Sequence, residues 1–185
     1  MNNDVECIVQ RWWQCMFLSA DELKKTGLYP APTAHKAQLK RCNSIDAAML
    51  TEGFRKLWFA LPEDLTQAAK VSEIECWATI AAALVYVRSD SNTKLAEAAG
   101  SKAGGEKSVV SELRFAQLQD AKTPDDFLRR LRRILQQIKG DISVISLAKD
   151  IEKWFKEHNT LRPHKAEKRI AVQWAMDYYH AASKK

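Results

Sequence analysis

Every long segment of this 185-residue chain repeats its apolar residues at helical spacing, and none shows the strict apolar-polar alternation of a half-buried strand. That periodicity is the strongest constraint on the fold. A helix with one apolar stripe must bury it against another element, and without strands the only available element is another helix. The sequence therefore predicts an all-α protein.

Val5, Ile8, Val9, Trp12, Cys15 and Met16 mark a first helix over 5–18, with Asn3 or Asp4 to cap it. Ser19 and Glu22 form a capping-box pair, and Tyr29-Pro30-Ala31-Pro32 then breaks regular structure. Thr33 is placed to cap a short helix through Cys42. Ser44 is placed to cap a longer one, with Ile45, Met49, Leu50, Leu57, Trp58 and Leu61 inward and Pro62 as its stop. Ser72 with Glu75 opens a helix that is apolar nearly all round (Ile74, Trp77, Ile80, Ala81, Leu84, Val85), which predicts a central position.

Hydrophobicity falls between Arg88 and Ser108, where Gly100, Gly104 and Gly105 appear. This pattern predicts two small helical bundles, 1–90 and 109–185, joined by a linker over 91–108 with one short helix near Lys94–Ala99. In the second half Ser111 is expected to cap a helix through Leu118. Thr123-Pro124-Asp125-Asp126 is a strong helix start, with an N-cap, a proline at the first position and acids at the positive dipole end; this helix runs to Ile138 and stops before Gly140. A further helix begins near Ser143, and Pro163 starts the last one.

Chemistry that needs a catalytic constellation finds little support. Gly100 and Gly105 have the separation of a phosphate-binding loop and Lys107-Ser108 follows, but Glu106 stands where the lysine belongs and no apolar strand leads in. His35, His158, His164 and His180 form no metal-ligand pair and lie beside no nucleophile; they read as surface residues, with His35 and His164 as possible phosphate contacts. Cys7, Cys15, Cys42 and Cys76 lack metal or disulfide spacing and read as buried small hydrophobes. No metal, cofactor or enzymatic activity is expected. Asp4 and Glu6 stand where a signal peptide would be positive, and no apolar run reaches the roughly 18 residues of a membrane span, so the expected compartment is the cytoplasm.

The charge pattern is more informative. Twenty-nine Lys and Arg against 23 Asp and Glu leave a net charge of +6, which favours an anionic partner. In the helix after Pro124, the apolar residues Phe127, Leu128, Leu131, Ile134, Leu135 and Ile138 share one arc. Arg129, Arg130 and Arg133 are left on the other, with Arg132 at the margin. Guanidinium forks match phosphate geometry, whereas a merely solvated face is served by lysine and glutamate. Lys36, Lys40 and Arg41 form a second cluster, and Lys165, Lys168 and Arg169 a third near a helix N-terminus. Arg114 sits between residues expected to pack, Leu113 and Phe115, either as a phosphate contact or as an ion pair with Glu112 or Asp120. Trp12, Trp58, Trp77, Trp154 and Trp174 lie on apolar faces, while Trp13 lies off the main face, where it can meet a partner.

Lys36-Ala37-Gln38-Leu39-Lys40-Arg41-Cys42, the stretch from Val110 to Leu118, and Leu128-Arg129-Arg130-Leu131-Arg132-Arg133 follow one another in this order. Taken together they resemble the CasB family, the small subunit of the type I-E CRISPR surveillance complex called Cascade. The closing Trp174-Ala175-Met176-Asp177-Tyr178-Tyr179 is similar too. The resemblance implies two copies paired in the complex, other Cascade subunits as neighbours, and no catalysis. It also implies contact with crRNA and target DNA, including the displaced strand of the R-loop. The basic positions it carries over are Lys40, Arg41, Arg114, the arginines of 129–133, Lys165, Lys168 and Arg169. The sequence departs from the family at Lys36 and Lys40, where arginines are frequent, and in the Gly104-Gly105 insertion. A helical adaptor acting through protein contacts and a stand-alone RNA-binding regulator are the alternative readings.

Overall fold

The computed structural model describes residues 1–102, 104–160 and 162–184. The chain is all-α and divides into two compact units, Met1–Val85 and Tyr86–Lys185. No helix among the described residues is long and apolar enough to cross a membrane. Ala103, inside the segment that approximates a phosphate-binding loop, lies outside the described residues.

In the first unit α1 (Asn3–Phe17) is capped by Asn2, whose side chain accepts the Val5 N–H at 3.0 Å. α2 (Ala20–Lys24) opens on the expected capping box: the Ser19 N–H donates to the Glu22 carboxylate at 2.8 Å, and the Glu22 N–H to Ser19 Oγ at 3.4 Å. α3 (Thr33–Arg41), α4 (Ile45–Met49), α5 (Glu52–Trp58) and α6 (Glu63–Thr66) lead to α7 (Val71–Leu84). From Cys76 to Leu84 every residue of α7 is buried, and α3, α4 and α5 pack around it. That is what an all-apolar helix requires. The Trp12 indole N–H donates to the Gly53 carbonyl at 3.0 Å, tying α1 to α5.

Several local expectations are corrected here. The single helix expected after Ser44 is two, because Thr51 offers the backbone an alternative to continuing. Its hydroxyl donates to the Ala48 carbonyl at 2.7 Å and accepts the Phe54 N–H at 3.2 Å, ending α4 and capping α5. The break turns Leu50 out to solvent, 77% exposed, and leaves Trp58 half-buried. α7 starts before Ser72, with Glu73 accepting the Lys70 N–H at 2.7 Å, so Ser72 is interior to the helix. Trp13 is 3% exposed and stacks on Phe17 at 5.2 Å, so its ring is covered by the next turn of its own helix. Of the cysteines only Cys76 is buried; Cys7 is exposed, and Cys15 and Cys42 are partly so.

The second unit contains β1 (Ser89–Asp90), α8 (Leu95–Gly100), α9 (Glu112–Gln119), α10 (Pro124–Gln137), β2 (Asp141–Ile142), α11 (Val144–Asn159) and α12 (Ile170–Ser183). The strands pair in parallel over two residues each, too short to show any alternation. Thr123 caps α10 by accepting the Asp126 N–H at 3.2 Å, and Lys139 and Gly140, both at positive φ, end it. Four helices meet in a row of aromatic rings. Phe127 of α10 lies parallel to Trp154 of α11 at 4.1 Å and to Trp174 of α12 at 6.3 Å, and Phe115 of α9 stacks on Tyr178 at 4.8 Å.

The 91–108 segment belongs to this unit and is not a linker between the two. Leu95, Ala96, Ala99 and Gly100 of α8 are buried, and the helix packs along α12. Its small residues lower its hydrophobicity, yet they are what permits the close approach: a Cβ on Gly100 would lie 2.2 Å from the Tyr178 carbonyl oxygen. Val110 continues the attachment, its N–H donating to the Ala99 carbonyl at 3.0 Å and its carbonyl accepting the Tyr178 hydroxyl at 2.6 Å. The last helix begins at Ile170, not at Pro163. The intervening residues form a 3₁₀ turn, Ala166–Lys168, and the Ile170 N–H is taken by the Glu157 carboxylate of α11 at 2.7 Å.

Replacing Gly100 with alanine is expected to destabilise the second unit by about 1–3 kcal/mol through overpacking against backbone; denaturant unfolding followed by circular dichroism measures it. A second expectation concerns Asp150 of α11. Its carboxylate accepts the Trp174 indole N–H at 2.8 Å, and burial pushes its pKa up to about 6 against the opposing pull of that bond and of Lys153. In the unfolded chain an aspartate titrates near 4, so between these values the native state holds a proton that the unfolded state lacks. Stability on this account falls as pH rises from about 4 to 6 and stays lowered above it. Asp150→Asn keeps the acceptor for Trp174 and removes the charge. We expect it to exceed the parent by about 1–3 kcal/mol at pH 7.5, with the gap closing near pH 4, in parallel unfolding curves.

Candidate nucleic-acid interface

α10 places its arginines as its apolar stripe dictates. Phe127, Leu131, Ile134 and Leu135 are fully buried, and Arg129 and Arg133 are exposed on the opposite side. Arg130 and Arg132 are half-buried at the margins. Asp126 braces two of the four. Arg129 donates to its carboxylate, and Arg130 grips the same group with Nε at 2.9 Å and its terminal nitrogen at 2.7 Å. Arg130 also donates to the Gln117 carbonyl of α9. Burial works to raise the Asp126 pKa, but the Arg130 and Arg129 guanidiniums outweigh it and hold the carboxyl below its ordinary value. The Arg132 guanidinium sits 5.4 Å from the Tyr86 ring centroid. The chain thus presents Arg133 openly and Arg129 and Arg130 in a partly neutralised state.

Arg114 is exposed on α9, and its neighbour Leu113 is 72% exposed, contrary to the packing expected of it. Neither candidate acid pairs with Arg114: Glu112 accepts the Tyr179 hydroxyl, and Asp120 pairs with Lys122 at 2.6 Å. The Arg130 bond to Gln117 holds α9 against α10, so Arg114 and the arginine run belong to one helix pair within the second unit.

The other two clusters are divided by the structure. Lys36 is half-buried and serves α1: its ammonium donates to the Met16 carbonyl at 3.0 Å and lies 4.3 Å from the Phe17 ring centroid. A cation on the last carbonyls of a helix is a C-terminal cap. Lys40 and Arg41 are exposed in the last turn of α3. Lys165 and Lys168 are exposed at the 3₁₀ turn, whereas Arg169, the N-cap residue of α12, folds back so that Nε donates to the Pro163 carbonyl at 2.9 Å. This cluster therefore stands on a turn and not on the first turn of a helix. His164 is exposed, but His35 is not the surface residue expected; it is 9% exposed, and its Nδ1 is buried without a hydrogen-bond partner.

The residue that the charge pattern left out is Asp126. The sequence reads it as an acid at the positive end of the helix dipole, yet it stands three and four residues before Arg129 and Arg130, the spacing at which helix side chains pair. That spacing was the available signal. The Gln117 carbonyl, 13 residues from Arg130, left none.

Fold and surface together define a class: a small two-unit helical protein whose concentrated charged chemistry is cationic and turned outward. The family model for the CRISPR-associated protein Cse2 matches residues 35–179, and the chain belongs to that family. The fold is shared with solved structures. A chain of the E. coli Cascade bound to a PAM-containing dsDNA target superposes with a TM-score of 0.64 at 16% identity, over 97% of this chain and 96% of that one. CasB from Thermus thermophilus gives 0.57 at 22% identity, and a second Thermus thermophilus structure, described as a CRISPR-associated protein of the Cse2 family, gives 0.57 at 21%, each over 93% of this chain and 97% of the other. A search of curated proteins gives no match.

The brace on the arginines makes a specific expectation. Asp126→Asn removes the carboxylate that Arg129 and Arg130 share, at a stability cost of about 1–2 kcal/mol because Asp126 and Arg130 are only partly exposed. Any polyanion that binds this face should then bind several-fold more tightly, and heparin retention at low salt reads the change directly.

Proposed function

We propose that this chain is a non-catalytic, phosphate-binding small subunit of a Cascade-type CRISPR surveillance complex, and that it steadies guide-target pairing and the displaced strand of the R-loop. Its neighbours are the other Cascade subunits, and two copies pair within the complex. The observation that carries the reading is the exposure of Arg114, Arg129 and Arg133 on one tied helix pair, in a chain of the Cse2 family. Lys40 and Arg41 in the first unit, and Lys165 and Lys168 in the second, add exposed positive charge. Lys36 and Arg169 act mainly as structural ties.

The physical logic is that of an accessory subunit. In an RNA-guided complex base pairing reads the sequence, so a helper needs only a positive surface that follows phosphates without regard to base. Exchanging a DNA duplex for an RNA-DNA heteroduplex is nearly balanced in free energy, and a few phosphate contacts per subunit suffice to tip it. Arginine suits that work because its fork engages two phosphate oxygens at once.

One observation favours the adaptor reading, in which these faces meet protein: Arg129 and Arg130 already bind a carboxylate of their own helix, as they would bind an acidic neighbour. Salt separates the two. Each phosphate contact releases condensed counterions and steepens the salt dependence, which a mixed protein interface need not do. The test is fluorescence anisotropy of labelled single-stranded DNA and RNA, and of an R-loop held by the assembled complex, across a salt series. The parent is compared with Arg114→Glu, Arg129→Glu and Arg133→Glu combined. Loss of three phosphate contacts should flatten the log–log slope by about 2 on a single strand. The same triple change should shorten R-loop lifetime while leaving the circular dichroism of the subunit unchanged. An unaltered slope and lifetime would transfer the assignment to the adaptor role.

A further inference from the structure

The first unit holds a cavity of about 390 Å³ between α1, the Tyr29–Pro32 loop, α3 and α5, which none of the cationic rows uses. Its walls are almost entirely apolar, with Ile8, Trp12 and Met16 among them. The volume falls within the roughly 300–1,000 Å³ of sites that take a bound group. Three of its lining side chains are basic, Arg11, His35 and Lys56, and no carboxylate lines it. Arg11 and Lys56 are exposed, and among the described residues neither forms an ion pair. The nearby acid Glu52 is held by Arg55 at 2.6 Å. His35 is buried with its Nδ1 lacking a partner. Apolar surface extends outward at the rim, where the lining residue Tyr29 is 84% exposed.

From these observations we propose that the cavity receives a large apolar side chain of a partner protein whose flanking residues are acidic. The body of the ligand must be apolar, because the surface that the walls offer is almost entirely apolar, and burying the donors and acceptors of a nucleobase edge against it is unfavourable. Its surroundings must be anionic, because the exposed charges lining the mouth, Arg11 and Lys56, are both cationic, with Glu52 near Lys56 already paired to Arg55. It must be a polypeptide rather than a small molecule, because the exposed Tyr29 continues the apolar surface beyond what a cavity-sized ligand covers. An anchor side chain in a pocket with charges at its rim is the usual arrangement of a small protein interface.

The test uses the full chain labelled at its Ile and Met methyl groups and follows the Ile8 and Met16 signals. The probe is a capped pentapeptide of the sequence Glu-Asp-Phe-Asp-Glu. Two companions accompany it, one with Phe replaced by Ser and one with the acids replaced by Lys. The acidic Phe peptide is expected to shift both methyl signals saturably at millimolar concentration, and each companion to bind at least fivefold more weakly. In the Arg11→Glu, Lys56→Glu double variant the preference should invert, with the lysine-flanked peptide binding better; this positive result also shows that the variant is folded. Absence of a saturable shift, or equal binding of the acidic and lysine peptides by the parent, would overturn the proposal. So would a shift of these methyls with an oligodeoxythymidine and not the peptide, which would give the cavity to nucleic acid. A shift on raising protein concentration alone would give it to a second copy. None of these outcomes bears on the arginine row of the second unit, which the salt series tests separately.

Discussion

The burial of one stripe of α10 organises the second unit. Phe127, Leu131, Ile134 and Leu135 are removed from water, and Phe127 is seated between the indoles of Trp154 and Trp174. Fully burying side chains of this size stabilises by roughly 1.5–3 kcal/mol each, which exceeds anything an exposed ion pair on the other face supplies. The helix has no freedom to rotate. Once its apolar arc is seated, the 3.6-residue period carries Arg129 and Arg133 outward, so the cationic face is a consequence of the core. The same rings reach α9 through Phe115 and hold the helix that bears Arg114.

Much of this was legible in the sequence because the signals are local. The stripe of α10, its Thr123-Pro124 start, the Ser19–Glu22 box and the all-apolar α7 each follow from residues within a few positions of one another. What escaped has non-local causes. The region 91–108 looked like a linker because alanine and glycine carry little hydrophobicity, yet Gly100 is small because the Tyr178 backbone passes against it. The start of α12 is set by Glu157 from another helix, and Lys36 is drawn to the end of α1 by a carbonyl 20 residues away. In the sequence such cations are equivalent, and only the fold separates those that tie helices together from those that face outward.

That separation changes what the arginine run does chemically. An unpaired set of guanidiniums within a few turns would repel itself, and Asp126 relieves this by bridging Arg129 and Arg130. A phosphate arriving at this face must compete with the carboxylate for the same forks, so each contact is weaker than a bare count of arginines implies. For a subunit proposed to follow phosphates at every sequence, such tempering is useful. Affinity that depends on many moderate contacts responds steeply to how many phosphates are in register, and a strand can move across the face without leaving a single tight site. On the proposed function, Arg133 and Arg114 would contribute the fixed part of the attraction, and the braced pair a part that arises only when a strand lies close enough to displace the acid.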